Sequence, residues 1–362
     1  MSGEMKPTIH VLPNPSGITN ERYRTDAFGI AASKFIRSMP EFGYDLVHYG
    51  HEASVVDCEH VTVITNNDFA APDDAGAMLY HRQDLTDLYN QRVTPILQSR
   101  VRPGDIVASF YGLAHRECTS TLQPGVFVCE PSIGYPVDTV FAPFKAFVSH
   151  AWLHYYYGTQ NKLMEPHWYN AVIPNAFDVS EFEFRPWKEK YFVYLGRMIH
   201  HKGLDLAIQV TEYLGVPLII ASSGRIADLG YTTTPAHVTE IGYVGQHERR
   251  ALLAGAQCLM APTYYIEPFG NIVVEAALSG TPVLTTDWGG FSENVVQGVT
   301  GYRCGDFAEF VQGARKIMAG SIRSLDCRHH AESNYELRVV HAKMHAWFSK
   351  IRRQNFYWVP EQ

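Results

Sequence analysis

Most of the signatures that would assign this chain quickly are missing. Its six cysteines (Cys58, Cys118, Cys129, Cys258, Cys304 and Cys327) form no C-x-x-C pair and no zinc-ligand spacing. Most lie in strand-like apolar runs such as 126–129, so they read as free buried thiols of a reducing compartment, not as a disulfide framework. The seventeen histidines are scattered, and no H-E-x-x-H occurs. No G-x-G-x-x-G is present, which counts against dinucleotide binding of the NAD type. No apolar run approaches a membrane span, and the opening MSGEMKPTIHVL lacks a basic segment followed by an apolar one. A soluble, cytoplasmic protein is expected. Charged residues make up only 19%, with a net charge of −7, so nothing global points to a nucleic-acid partner.

What is present is a globular composition, 46% hydrophobic over 362 residues, long enough for two domains. Apolar strand-like runs at 8–12, 45–49, 61–65, 105–110, 126–129 and 146–149 alternate with helical patterns at 23–39 and 84–99. A second series begins near Tyr191, with strands at 192–195, 216–221, 238–244, 258–261 and 283–285 and helices at 204–214, 247–254 and 271–278. The repeated α/β alternation predicts two Rossmann-like, doubly wound parallel-sheet domains. They are expected over 1–182 and 183–334, with the linker in 175–187 and a last helix within 335–362. Open α/β sheets bind ligands outside the carboxyl ends of their strands, so a cleft between two such domains is the expected site. The loops to inspect are 13–17, 111–115, 130–135, 196–203, 222–225 and 263–270.

One stretch, PTYYIEPFGNIVVEAALSGTPVLTTDWGG at 262–290, is physically unusual. Residues 271–278 are apolar on nearly every face, and Glu275 is the only charge among them. A carboxylate so placed is costly unless something donates hydrogen bonds to it. Phe269, Gly270 and Asn271 open the helix, where free N–H groups and the helix dipole favour anions or hydroxyl oxygens. Glu267 stands just before that turn. Two carboxylates eight positions apart at a helix N-terminus suit a polyhydroxylated ligand.

The E-x7-E spacing, followed by G-T-P-V and W-G-G-F-S-E, resembles the donor site of glycosyltransferase family 4. Upstream the match continues, in order, through IPNAFD at 173–178, YLGRMIHHKGLDLAI at 194–208 and GYVGQHERRALLAGAQCLMAPTYY at 242–265, and downstream through GVTGYRC at 298–304. The likeness is close over 173–304 and holds only in outline before it. It implies a GT-B fold whose C-terminal helix crosses back to the first domain. It also implies retaining transfer of a hexose from a nucleotide-diphosphate sugar, UDP- or GDP-linked. The donor would sit on the second domain and the acceptor on the first, with no further cofactor.

By the same resemblance Gly196, Arg197 and Lys202 bind the diphosphate; the alternative is a solvated Arg and Lys on a loop. Glu275 accepts the ribose hydroxyls, or else is a buried carboxylate bonded to a backbone loop. Glu267 contacts the transferred sugar, with Pro268, Phe269, Gly270 and Asn271 lining the donor; the alternative is a charge at a helix N-terminus. Ser16-Gly17 stands where the family places a Gly-Gly phosphate loop, but one glycine here fits a plain turn equally. The clearest departure is Glu130, where the family often carries His. It takes over that polar role, or is a loop carboxylate outside the chemistry.

His115 and His150 are further candidates, each more commonly structural at a strand end. Arg22, Arg24 and Arg37 suit an acidic acceptor or an exposed charged face, and Tyr155, Tyr156 and Tyr157 a sugar surface or simple packing. Asp73-Asp74 falls in a Pro/Gly loop, so no D-x-D follows a strand and no metal is expected. The acceptor is open: a glycan, a lipid, a small molecule or a nucleic-acid base. The other readings are a sugar-nucleotide epimerase and a non-catalytic nucleotide-sugar binder.

Overall fold

The structure is a computed structural model that describes residues 6–20, 26–69, 82–160, 162, 164 and 167–353. These divide between two compact units, one drawn from Met1–Val148, Leu153–Ala176 and Leu337–Gln362, the other from Ser149–Trp152 and Phe177–Glu336. The chain leaves the first unit after Ala176 and re-enters it at Leu337. Within the second unit the two crossings are tied together. The Phe177 N–H donates to the Tyr335 carbonyl at 2.8 Å, and Phe177 bridges Glu336 in parallel.

In the first unit the described residues give a seven-stranded sheet: β1 Thr8–Leu12, β2 Asp45–His51, β3 Glu59–Ile64, β4 Ile106–Ser109, β5 Phe127–Ile133, β6 Phe144–Phe147 and β7 Ala171–Val172. The order is β3-β2-β1-β4-β5-β6-β7, and every pairing is parallel. β4 (IVAS) is buried at every residue and β1 (TIHVL) at all but its first, as central strands covered on both faces must be. The helix Gln83–Arg100 covers one face with Tyr89, Val93 and Leu97. The helix Ala27–Ser38 covers the other with Ala32, Phe35 and Ile36. The last helix, Leu337–Arg352, joins that second layer through Val340, Met344, Trp347, Phe348 and Ile351. Trp347 Nε1 donates to the Tyr169 carbonyl at 2.7 Å, so the buried indole has its partner.

The second unit holds a six-stranded sheet: β8 Phe192–Leu195, β9 Leu218–Ala221, β10 Val238–Glu240, β11 Cys258–Ala261, β12 Val283–Thr286 and β13 Gly301–Cys304. Its order is β10-β9-β8-β11-β12-β13, again parallel throughout. In both sheets the winding reverses beside the first strand, between β1 and β4 and between β8 and β11. Those two crevices are where an open α/β sheet binds ligand.

The structure differs from the pattern reading in several elements, among them the helices His150–Thr159 and Phe307–Met318, which that reading did not include. β5 does not end at Cys129 but runs on to Ile133. Pro131 sits where the β5–β6 register shifts, and such an irregularity tolerates proline within a strand. β13 and the helix Ser324–Tyr335 were not foreseen, because GYRC is only half apolar and SLDCRHHAESNY has little amphipathic periodicity. The expected last helix is present as Leu337–Arg352, separated from Ser324–Tyr335 by Glu336, whose ψ of 145° is extended. No helix among the described residues is long and apolar enough to cross a membrane.

Candidate functional site

At the second unit's switch point, β8 ends in Gly196-Arg197 and β11 ends in Pro262-Thr263, so the loops carrying the expected residues leave adjacent strands. Glycine allows their close approach. Gly203 has φ +69°, and a Cβ there would lie 1.9 Å from the Pro262 carbonyl oxygen. That contact delivers Lys202 to the far loop. Its Nζ donates to Glu267 Oε2 at 2.7 Å and lies 4.8 Å from the Tyr265 ring centroid. The Tyr265 hydroxyl donates to the same Oε2 at 2.7 Å. Burial raises the Tyr265 phenol and the Glu267 carboxylate raises it further, while the neighbouring Arg197 guanidinium opposes both. Arg197, Lys202, Tyr265 and Glu267 thus form one charged cluster. Tyr265 was missed in the sequence because nothing in PTYYIEP separates it from Tyr264, which is exposed.

The Glu267–Gly270 segment is held from behind by the W-G-G-F turn. The Gly290 N–H donates to the Glu267 carbonyl at 2.7 Å, and Asn294 Nδ2 to the Phe269 carbonyl at 2.6 Å. A Cβ on Gly290 would meet the Phe269 Cα at 2.7 Å. Phe269 stacks on the Phe177 ring and meets the Tyr335 ring edge to face, and Ser149 Oγ donates to the Pro268 carbonyl at 2.5 Å. The backbone ahead of the helix Asn271–Leu278 is therefore fixed by packing. Gly270, at φ +84°, is its N-cap and has no side chain to close over the helix N-terminus, while the Val273 N–H donates to the Gly270 carbonyl at 3.1 Å.

Glu275 lies on the second turn of that helix. The donor it requires is Arg249, from the helix Gln246–Gly255: Nε donates to Oε2 at 2.9 Å, and Nη2 donates to the same oxygen. Both bonds fall on Oε2, just as both bonds to Glu267 do. In each carboxylate Oε1 accepts nothing from the described residues and remains available to a ligand hydroxyl.

Of the other candidates, Glu130, His115 and Gly17 belong to the first unit and His150 to the second. Glu130, in the first unit, has no exposed surface. Its Oε1 accepts from the Tyr135 hydroxyl at 2.6 Å, and its Oε2 from the N–H groups of Phe141 and Ala142 at 3.0 and 2.8 Å. Lys145 is its direct neighbour across the β5–β6 pair. Burial pushes the Glu130 carboxyl up, and the three donors and Lys145 pull it back. With both carboxylate oxygens engaged internally, it braces the 130–142 segment. His115 is fully buried, bonded through Nδ1 to Ser109 Oγ at 2.8 Å, and burial lowers its pKa to about 3.

His150 is exposed, and its N–H and Nδ1 both reach Glu293 Oε2. Gly17 closes a turn through its N–H to the Asn14 carbonyl at 2.9 Å, and a Cβ there would lie 2.7 Å from Asp26 Oδ2. That neighbouring carboxylate disfavours a phosphate. Tyr156 and Tyr157 are buried, and Tyr155 is partly exposed. Arg37 lies in the last turn of Ala27–Ser38, whereas Arg22, Arg24, Asp73 and Asp74 fall outside the described residues.

Residues 179–334 match the family model of glycosyl transferases group 1, which places a glycosyltransferase domain in the second unit. Among curated proteins, the glycogen synthase of Mycobacterium tuberculosis is 29% identical over 190 residues, covering 47% of this chain and 46% of that protein. An uncharacterised glycosyltransferase of Methanocaldococcus jannaschii is 30% identical over 152 residues, covering 37% of this chain and 39% of its own. The chain spans about half the length of the first of these relatives or less. Solved structures match over nearly the whole chain. AviGT4, a glycosyltransferase involved in avilamycin A biosynthesis, aligns with a TM-score of 0.69 at 18% identity over 96% of this chain and 98% of its own. Anabaena HepE in complex with UDP and glucose aligns with a TM-score of 0.65 at 14% identity over 96% of this chain and 100% of its own. The fold is GT-B.

Proposed function

We propose that this chain is a retaining glycosyltransferase that moves a hexose from a UDP- or GDP-sugar, bound on the second unit, to an acceptor bound on the first. The observation that carries this reading is a pair of half-engaged carboxylates at the two ends of one helical segment: Glu267 in the cluster with Arg197 and Lys202, and Glu275 held by Arg249. Arg197 and Lys202 meet the diphosphate; a lysine ammonium has three protons, so Lys202 can hold Glu267 and still donate to phosphate. Glu275 Oε1 takes ribose hydroxyls. Glu267 Oε1 and the uncapped N–H groups after Gly270 take hydroxyls of the sugar. HepE, whose fold this chain shares, has been solved with UDP and glucose, which supports a donor of this class. Retention follows if the acceptor attacks from the face the diphosphate leaves, with donor phosphate taking its proton. The cysteines of the described residues are all free, in keeping with a cytoplasmic setting.

A thermal-shift panel of UDP-, GDP-, ADP- and dTDP-sugars tests the donor class. A ligand at one hundred times its Kd stabilises by about 2.7 kcal/mol, so one base should raise the melting temperature and the others should not. Silence across the panel at millimolar concentration would end the reading. Arg197→Ala should lower donor affinity and rate together by on the order of 2–4 kcal/mol. Unchanged nucleotide-sugar titrations would remove the diphosphate site. Since these cations neutralise the leaving group, chelation should leave the rate intact; a loss restored by a divalent ion would contradict that.

Glu275→Gln should weaken free nucleotide and donor alike and raise KM with little change in kcat, because the ribose is unchanged by the reaction. A fall in kcat at unchanged KM would move Glu275 to the reacting sugar.

A further inference from the structure

We propose that the first unit carries a separate site for a small phosphomonoester, at the amino-terminal edge of its sheet. This is the opposite end of the strands from the β1/β4 switch point. A cavity of about 360 Å³ opens there, lined by Lys6, Thr8, His10, Arg100, Arg102 and Arg352 among others. Its floor is one face of β1: Thr8 and His10 are two positions apart and so point the same way, with Val47 of β2 paired beside His10. Its rim is the turn Arg102-Pro103-Gly104-Asp105 that leads into β4. Arg352, in the last turn of the helix packed on the other face, reaches the same cavity around the sheet's edge.

The polar groups of this cavity are built and incompletely used. His10 is only 2% exposed. Its Nδ1 lies 2.7 Å from the Tyr49 hydroxyl, and its Nε2 has no hydrogen-bond partner. With the phenol donating to Nδ1, the imidazole proton resides on Nε2 as an unused donor. Nε2 is 3.6 Å from Asp105 Oδ2, an ion-pair separation too long for a direct hydrogen bond. Asp105 is already committed, taking the N–H of Thr8 at 3.0 Å and that of Arg102 at 2.8 Å. Arg352 Nε is likewise buried without a partner.

Lys6 and Arg100 pair with Asp45 and Glu59, but these bridges are solvent-exposed and therefore weak, so both cations can turn to a better anion. Asp105, the helix carboxyl ends, and Asp45 and Glu59 through their pairs with Lys6 and Arg100 oppose an anion. Four cationic side chains and a histidine donor converging on one cavity outweigh them. The volume exceeds what a bare phosphate fills and suits a phosphate attached to a sugar-sized body. Because Arg352 terminates the helix that re-enters from the second unit, an occupant would tie that helix to the sheet edge.

The test is titration calorimetry at low ionic strength with inorganic phosphate and with glucose 6-phosphate, on three forms of the full chain. The unmodified chain and Arg197→Ala should bind both probes, the sugar phosphate more tightly. The double variant Arg102→Glu/Arg352→Glu should bind at least tenfold more weakly, yet keep its melting temperature and its response to the nucleotide sugar. Thr8→Trp, which fills the cavity without changing charge, should also weaken binding, so that a general loss of positive charge is separated from loss of the site. No heat with either probe overturns the proposal. So does binding that survives the double variant, or that disappears in Arg197→Ala, since it would then belong to the second unit.

Discussion

Glu267→Gln is expected to lower kcat by roughly 10²-fold while leaving affinity for the bare nucleotide equal or slightly improved. The carboxylate stands ahead of the helix Asn271–Leu278, where the transferred sugar is proposed to lie, and positive charge develops on that sugar as the diphosphate leaves. A neutral amide of the same shape keeps the hydrogen bonds to hydroxyls but not the charge. The ion pair with Lys202 at 2.7 Å sharpens the expectation. Removing the negative charge frees Lys202 for phosphate, so nucleotide binding should not fall. Single-turnover rates and calorimetric titration with the free nucleoside diphosphate read the two effects separately. Full kcat combined with lost nucleotide binding would reverse the roles of Glu267 and Glu275.

Glu130→Ala is expected to destabilise the first unit by roughly 3–5 kcal/mol, because it removes the acceptor of three donors and leaves Lys145 without its counter-charge. Lys145 is itself buried, with Nζ donating to the Ala142 carbonyl, and burial lowers its pKa to about 8. Glu130→Gln also removes the counter-charge of Lys145 but should cost less, because it keeps the hydrogen bonds. Its oxygen can take the two N–H groups, and its amide can donate to the Tyr135 oxygen. Denaturant unfolding followed by fluorescence gives the stabilities, and activity per folded molecule gives the role. If Glu130→Gln folds normally and yet loses its rate, the carboxylate acts in the chemistry and the structural account fails.

The sequence by itself determined the two α/β series, the helix at 271–278 and the family likeness around the two glutamates. It could do so because those features are local. Strand and helix periods are written in consecutive residues, and a lone charge in an apolar helix announces its need for a donor. It did not determine which donor. Arg249 is 26 positions from Glu275 and Lys202 is 65 from Glu267; sheet order and helix packing bring them together. Tyr265 is only two positions from Glu267, and its nearness to Lys202 and Arg197 is what the tertiary structure adds.

Glu130 shows the converse. Beside a proline its sequence context read as a loop, and only the β5–β6 pairing, which sets it opposite Lys145, turned it into a buried brace. The cavity under β1 draws on residues from 6 to 352, from layers on both faces of one sheet. Nothing in the neighbourhood of any one of them specifies that meeting. Local pattern sets which side chains are buried and charged, and tertiary structure decides which of them neutralise each other and which remain for a ligand.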